Sequence, residues 1–296
     1  MDPSVPVGAP EAESAAHTSI EDALAAVQRW DADFAAAAAS SAHGMVGSYG
    51  DTRRVVRVAS ISKLATARAV LLAIEEGAMA LADPLGPQGA TVAHLLCHAG
   101  GYDFDSDTVI AAAGTRRIYS NTCYEVLARH VEDRTGIAFA DYLAEGVLDP
   151  LGMASSELRG SPAKDLFSSV EDLLQLLAEY RRSRLLDPST ARAARQVQMG
   201  DLDGILPGWG AQRPCDWGFG PELRGNKSPH WSGSTAQRST HGHFGGSGTM
   251  LWLDPDSGLG CVALSNREFG DWSVRIWPGF SDGVRLAGLG LLGSLT

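Results

Sequence analysis

Along the chain, apolar positions switch between helical spacing and strand-like alternation, and each switch marks an element. Leu24, Val27 and Phe34 form a stripe that predicts a helix over residues 20–38, with Ser19 as N-cap and Asp22 in a box-like position three residues on. Two short β-like runs, 43–49 and 54–59, flank Gly50 and Asp51, a hairpin-turn composition. Leu64, Ala67, Leu71 and Ile74 then fall three and four apart, so a helix begins directly after Ser60. Further helices are expected over 91–97, over 121–134 with Gly136 as its stop, and over 139–147. Another is expected over 169–182, where Ser168 caps and Glu171 completes a Ser-x-x-Glu box.

Beyond Leu206 the chain turns to glycine, tryptophan and short strands. Residues 250–253 and 259–264 flank the segment from Asp254 to Gly258, a strong hairpin signal, and 272–286 read as a closing helix interrupted or restarted near Pro278 and Gly279. The order is a β-containing N-terminal part, a helical middle and an antiparallel β C-terminal part. Joining the two β parts in one sheet gives an α/β subdomain from 18–59 with 207–296 and a mainly helical subdomain from 60–206, after a loose acidic tail over 1–17.

At 296 residues the chain is one large domain or two subdomains sharing a cleft. Hydrophobic residues at 44% and charged residues at 20% support a packed core. The net charge of −11, without any basic tract, argues against a nucleic-acid or membrane partner. No apolar run approaches the roughly 20 residues that cross a bilayer. The start has neither the basic n-region nor the apolar h-region of a secretory signal. Cys97, Cys123, Cys215 and Cys261 are widely spaced, which suits reduced thiols and not a disulfide framework or zinc site. Together these features give the expectation of a cytoplasmic protein.

Only three lysines occur, Lys63, Lys164 and Lys227, which draws attention to the run Ser60, Ile61, Ser62, Lys63. Residues i and i+3 share a helix face, so the amine lies beside the hydroxyl. A desolvated lysine is a base able to take the proton of a serine nucleophile, and the helix N-terminus adds a positive field where an oxyanion would develop. The plainer alternative makes Ser60 an N-cap and Lys63 a solvated first-turn residue. A second match, from Ser161 to Lys164, has proline at its first helical position and no apolar helix behind it, and reads as a cap.

Tyr119, Ser120 and Asn121 stand where a loop meets a helix. A tyrosine near a lysine relays protons and an asparagine amide holds both lysine and substrate; equally, Asn is a favoured N-cap and Tyr a hydrophobic staple. The third motif is the glycine-rich run from His243 through Gly245 and Gly246 to Thr249, where a ligand can approach the backbone and an N–H can donate to an oxyanion. Its alternatives are a bulge, or a metal site from His241, His243 and His230 that lacks a carboxylate or cysteine at ligand spacing.

In this order the three motifs resemble those of the penicillin-binding-protein-like serine hydrolases, a superfamily of β-lactamases, D,D-peptidases, D-aminopeptidases and carboxylesterases. The Tyr-x-Asn form points to the class C β-lactamase-related branch. The stretches around VRVASISKLATA, TVAHLLCHAGGY and GHFGGSGTMLWLDP agree, and the resemblance spans roughly residues 18–280. It implies an α+β fold, an antiparallel sheet flanked by N- and C-terminal helices with an inserted all-helical subdomain, and a site at the seam. It also implies that Ser60 is the nucleophile, Lys63 its base partner, Tyr119 a proton carrier and Asn121 a holder of Lys63 and substrate. His243 then stands where many relatives have lysine, Gly245 closes that motif, and the N–H groups of Ser60 and Gly246 form the oxyanion hole. No metal or organic cofactor is implied.

The histidine removes a fixed cation that would anchor a substrate carboxylate. The leading expectation is therefore a serine hydrolase that cleaves a small ester, amide or peptide through an acyl-enzyme, with an esterase favoured. The alternatives are a true β-lactamase or D,D-carboxypeptidase or D-aminopeptidase, an acyltransferase, and a catalytically silent binding protein. Trp209, Trp217 and Trp231 are either walls of an acyl pocket or ordinary core, and His98 reads as a structural loop residue.

Overall fold

The computed structural model describes residues 18–293; the expected loose tail over 1–17 lies outside them. In chain order the helices are α1 (Ile20–Ala25), α2 (Ser62–Glu75), α3 (Val92–Leu96), α4 (Asn121–Thr135), α5 (Phe139–Leu143), α6 (Asp149–Leu151), α7 (Val170–Arg181), α8 (Pro188–Ala194) and α9 (Asp271–Gly293). The strands are β1 (Ala35–Ser41), β2 (Gly44–Tyr49), β3 (Val56–Arg57), β4 (Glu157–Leu158), β5 (Leu166–Ser168), β6 (Gly204–Leu206), β7 (Gly210–Gln212), β8 (Glu222–Leu223), β9 (His241–Gly245), β10 (Thr249–Leu253) and β11 (Gly260–Ser265). Six of them form one antiparallel sheet in the order β2-β1-β11-β10-β9-β8. N-terminal and C-terminal segments thus share a sheet, and the architecture is the expected α+β one.

The interior strands of the sheet are buried on both faces and alternate between two cores. Ala36, Ala38, Leu251, Leu253, Val262 and Leu264 face the core built with α2, α4 and α7. Ala37, Ala39, Met250, Trp252, Cys261 and Ala263 face a second core with Leu24, Val27, Trp30, Trp277 and Val284 from the α1 and α9 side. This period-two division explains why the interior strands are apolar on both sides. Gly260 keeps the sheet close to α7, because a Cβ there would stand 2.5 Å from Leu177.

The largest departure from the sequence pattern is the alanine run. Helix α1 ends early, passes through a 3₁₀ turn over Ala26–Trp30 and stops at Asp31 in the left-handed region. Residues 35–39 are not helix but strand β1, paired on one side with β2 and on the other with β11. Alanine favours helix locally, yet pairing on both edges and burial of small side chains on both faces outweigh that preference. The hairpin partner of β2 is therefore β1. The expected pairing of 43–49 with 54–59 does not form, because β3 crosses to a small sheet ordered β3-β5-β4 in the helical part.

Smaller departures follow the same logic. Ser169, not Ser168, caps α7 by accepting from Asp172 N, while the Ser168 hydroxyl pairs with Ser156 inside β5. Helix α9 runs through Pro278 without a break, since Trp277, Phe280 and Val284 continue one buried face across it. The β10–β11 hairpin and the Gly136 cap of α4, at φ +74°, stand where the pattern placed them.

Candidate active site

Residue 60 sits on a 3₁₀ turn over Ala59–Ile61 that leads into α2. Ala59 has φ +46°, a strained left-handed conformation for a residue with a Cβ. Five bonds hold the turn in place. Val58 N donates to Leu166 O (2.9 Å), Leu166 N to Ser62 Oγ (3.0 Å), and Ser62 Oγ to Ala59 O (2.6 Å). From the β9–β10 turn, Ser247 Oγ donates to Arg57 O (2.8 Å) and Thr249 Oγ1 to Val58 O (2.9 Å). Gly245 makes this approach possible, because a Cβ there would stand 2.4 Å from Val58 O. The end of β9 and the start of α2 are thereby pressed together, with Gly245 against Val58 and Ala59.

Lys63 is fully buried. Its Nζ donates to Asn121 Oδ1 (2.6 Å), Ala163 O (3.0 Å) and Ser60 Oγ (3.3 Å), and lies 4.7 Å from the Tyr119 ring centroid. Burial, then the nearby charge of Lys164, lowers its pKa to about 7. A neutral amine keeps two N–H donors for the two carbonyl oxygens and turns its lone pair to the Ser60 hydroxyl. The arrangement is therefore that of a base held against a serine.

Asn121 is free for this task because Ser120 caps α4 instead, its Oγ accepting from Cys123 N (3.3 Å). The Asn121 amide also donates to Asp105 (3.2 Å), which pairs with Lys164 at 3.0 Å. The Tyr119 hydroxyl is buried and completes no well-formed hydrogen bond among the described residues. Burial raises its pKa, with the Ser60 side chain acting the other way, so it stays protonated at neutral pH.

His243 projects from β9 between Tyr119 and Trp217. Its Nδ1–H donates to Phe244 O (2.6 Å), leaving Nε2 as an unpartnered buried acceptor. Burial, then Lys63, lowers its pKa to about 3, so the ring is neutral across the physiological range.

The structure thus gathers Ser60, Lys63, Tyr119, Asn121 and His243, with Gly245 against the turn that carries Ser60 and Gly246 following it in the chain. Sequence reading missed three contributors. The second Ser-x-x-Lys run caps a short turn, Ser161 Oγ accepting from Ala163 N (3.1 Å), and in that turn the Ala163 carbonyl binds Lys63 while Lys164 sets the local charge. Asp105 links that lysine to Asn121, and nothing in its spacing announces it. His98, at φ +59°, packs 4.6 Å from Tyr119 and 4.7 Å from Trp217, and its Nδ1 accepts from Ser120 N (3.2 Å), so it orients the Tyr119 segment.

Of the three tryptophans, Trp217 lines the site, whereas Trp209 and Trp231 belong to the second core. Lys227 is buried elsewhere. It donates to Asp216 O (2.6 Å) and Leu223 O and pairs with Glu222 at 3.1 Å. Burial would raise the Glu222 pKa, but Lys227 and His230 hold it at about 2, which ties β8 to the segment that follows it. The histidines weighed as metal ligands face separate partners. His230 pairs with Glu222, His241 bonds Ser239 O, and His243 bonds Phe244 O. Among the described residues no three His, Cys, Asp or Glu side chains are placed to hold a metal ion, and no helix is long and apolar enough to cross a membrane.

The sequence matches the Beta-lactamase family over residues 35–280. A search of curated proteins finds no match. A structure described as a β-lactamase from Mycobacterium bovis superposes with TM-score 0.87 at 44% identity, covering 88% of this chain and 97% of that one. EstCE1, described as a hydrolase with promiscuous acyltransferase activity, gives 0.73 at 17% identity over 90% of this chain and 97% of its own. Simvastatin synthase from Aspergillus terreus gives 0.73 at 16% over 92% and 95%. The last two likenesses concern the fold alone.

Proposed function

The chain belongs to the β-lactamase family of serine hydrolases, and from that premise we propose that it cleaves a small ester or amide through an acyl-enzyme on Ser60, with esters favoured. Neutral Lys63 takes the Ser60 proton as the oxygen attacks the substrate carbonyl. The N–H groups of Ser60 and Gly246 receive the oxyanion at the positive end of α2. Tyr119, protonated at neutral pH, passes a proton to the leaving group and recovers one from Lys63. Asn121 and the Ala163 carbonyl aim the lysine. Water then attacks the acyl-enzyme, and the same groups run in reverse.

The observation that carries the preference for esters is the state of His243. Its one N–H is spent on Phe244 O and its ring is neutral, so no cation stands at this position to fix a substrate carboxylate. Ester leaving groups also depend least on acid catalysis. A second reading, turnover of β-lactams, is favoured by the 44% identical Mycobacterium bovis protein described as a β-lactamase. Steady-state rates on p-nitrophenyl acetate, a chromogenic cephalosporin and a D-Ala-D-Ala peptide separate the two. The ester is expected to have the highest kcat/KM; a cephalosporin turned over faster than the ester would install the second reading. Adding an alcohol and finding its ester among the products would make the chain an acyltransferase.

A further inference from the structure

Beside Tyr119 lies a pocket of about 270 Å³ bounded by Phe104, Ile110, Ile118, Ile205 and Pro207. Its apolar walls are unusual for surface residues: Phe104 is 51% exposed, Ile110 52% and Ile205 62%. Large aliphatic and aromatic side chains left in water around one concavity mark a surface kept for an apolar ligand. The polar members of the lining are mostly committed. Asp103 accepts from Phe104 N (2.7 Å), and the buried Arg117 guanidinium donates to the carbonyls of Cys97, Cys215, Gln198 and Met199. Arg116 is exposed.

The pocket adjoins the site through Tyr119, which is part of its lining. The Phe104 ring stacks on the Tyr119 ring at 5.9 Å with a 28° interplanar angle, and Phe104 O accepts from Asn121 N at 2.7 Å. Its two walls are held together, because Arg117 N donates to Asp203 O (2.8 Å) beside β6, which carries Ile205. The cavity is thus formed before any ligand arrives, so little ordering opposes binding.

We propose that this pocket is the specificity subsite, taking an uncharged aliphatic or aromatic group of the substrate. The proposal rests on the acyl-enzyme reading above and deepens it: the preferred substrates are apolar esters or amides whose hydrophobic group reaches the Phe104, Ile110 and Ile205 surface. Since both Phe104 and Ile205 are half exposed or more, changing them to aspartate reverses the chemistry of the pocket without opening a hole in the core.

The test measures kcat/KM for two ester series, p-nitrophenyl esters from acetyl to hexanoyl and acetates of alcohols of rising size, with wild type, Phe104→Asp and Ile205→Asp. One series is expected to rise roughly two- to fourfold per methylene in the wild type, and both variants are expected to flatten that slope. The series that carries the slope identifies which side of the ester the pocket holds. A slope unchanged in both variants, or no length dependence in either series, would overturn the proposal. Labelling by a fluorophosphonate keeps the outcomes apart. Labelled Ser60 with a flat slope rejects the pocket alone, whereas an unlabelled Ser60 and no ester turnover reject the acyl-enzyme reading and the pocket with it.

Discussion

Two adjacent residues of β9 lead to opposite worlds. His243 points to the seam where Lys63 and Tyr119 meet. Phe244 points through the sheet to a nest of aromatic rings, among them Trp209, Trp231, Trp277 and Phe269 at centroid distances of 5.1 to 5.9 Å. On the Phe244 side aromatic area is removed from water against well-packed partners, and the rings of Trp30, Trp252 and Trp277 are fully buried. On the His243 side the same depth of burial is applied to groups that resist it: a lysine, a tyrosine hydroxyl and an imidazole Nε2, with a strained Ala59 alongside. The aromatic face contributes packing, although the indole N–H groups of Trp30, Trp252 and Trp277 have no partner there among the described residues either; what sets the His243 face apart is that its buried groups are ionisable.

Substitutions on the two faces should separate these roles. The largest effect is expected from Ser60→Ala, which removes the nucleophile and lowers ester turnover by roughly 10⁴-fold or more while leaving the thermal midpoint near wild type. Trp277→Ala should do the reverse. It is expected to cost about 3–5 kcal/mol in denaturant unfolding with little change in kcat per folded molecule, and a large loss of kcat at intact stability would break the division between the faces.

Acidity provides a finer probe of the reactive side. Lys63 is a base only when neutral and its pKa is about 7, so kcat/KM should climb with pH through that region and level off above it. Lys164 lowers this pKa and Asp105 raises it. Lys164→Gln should therefore move the limb to higher pH and Asp105→Asn to lower pH, changing the rate on the limb by roughly two- to fivefold in opposite senses. Shifts of the same sign would contradict the charge assignment. The smallest effect is expected from Ser161→Ala. Its hydroxyl serves Glu125 and the local turn, so activity should stay within about twofold of wild type; abolished activity would mean that the wrong Ser-x-x-Lys run had been assigned.

The β10–β11 hairpin was legible from two short apolar runs and the turn segment between them. The sequence left Trp209, Trp217 and Trp231 open between pocket and core, and only the fold divides them. The alanine run was not legible as a strand, because its strand state depends on β2 and β11 flanking it, and no local signal carries that. At the site, Ser60, Lys63, Tyr119, Asn121 and the His243 run were legible as residue types in a fixed order. Their resemblance to a known pattern turned three ambiguous motifs into one constellation. Asp105, Lys164 and the Ala163 carbonyl stayed hidden because they act through space on Lys63 from segments about 40 and 100 residues away. A main-chain carbonyl leaves no mark on a sequence at all.

The central claim is that Ser60 carries the acyl group. Intact-protein mass spectrometry after brief exposure to p-nitrophenyl acetate or a fluorophosphonate, followed by peptide mapping, tests it directly. The account predicts one adduct per chain, located on Ser60, and none on the Ser60→Ala protein. An adduct on another residue, or an equal adduct on Ser60→Ala, would contradict it.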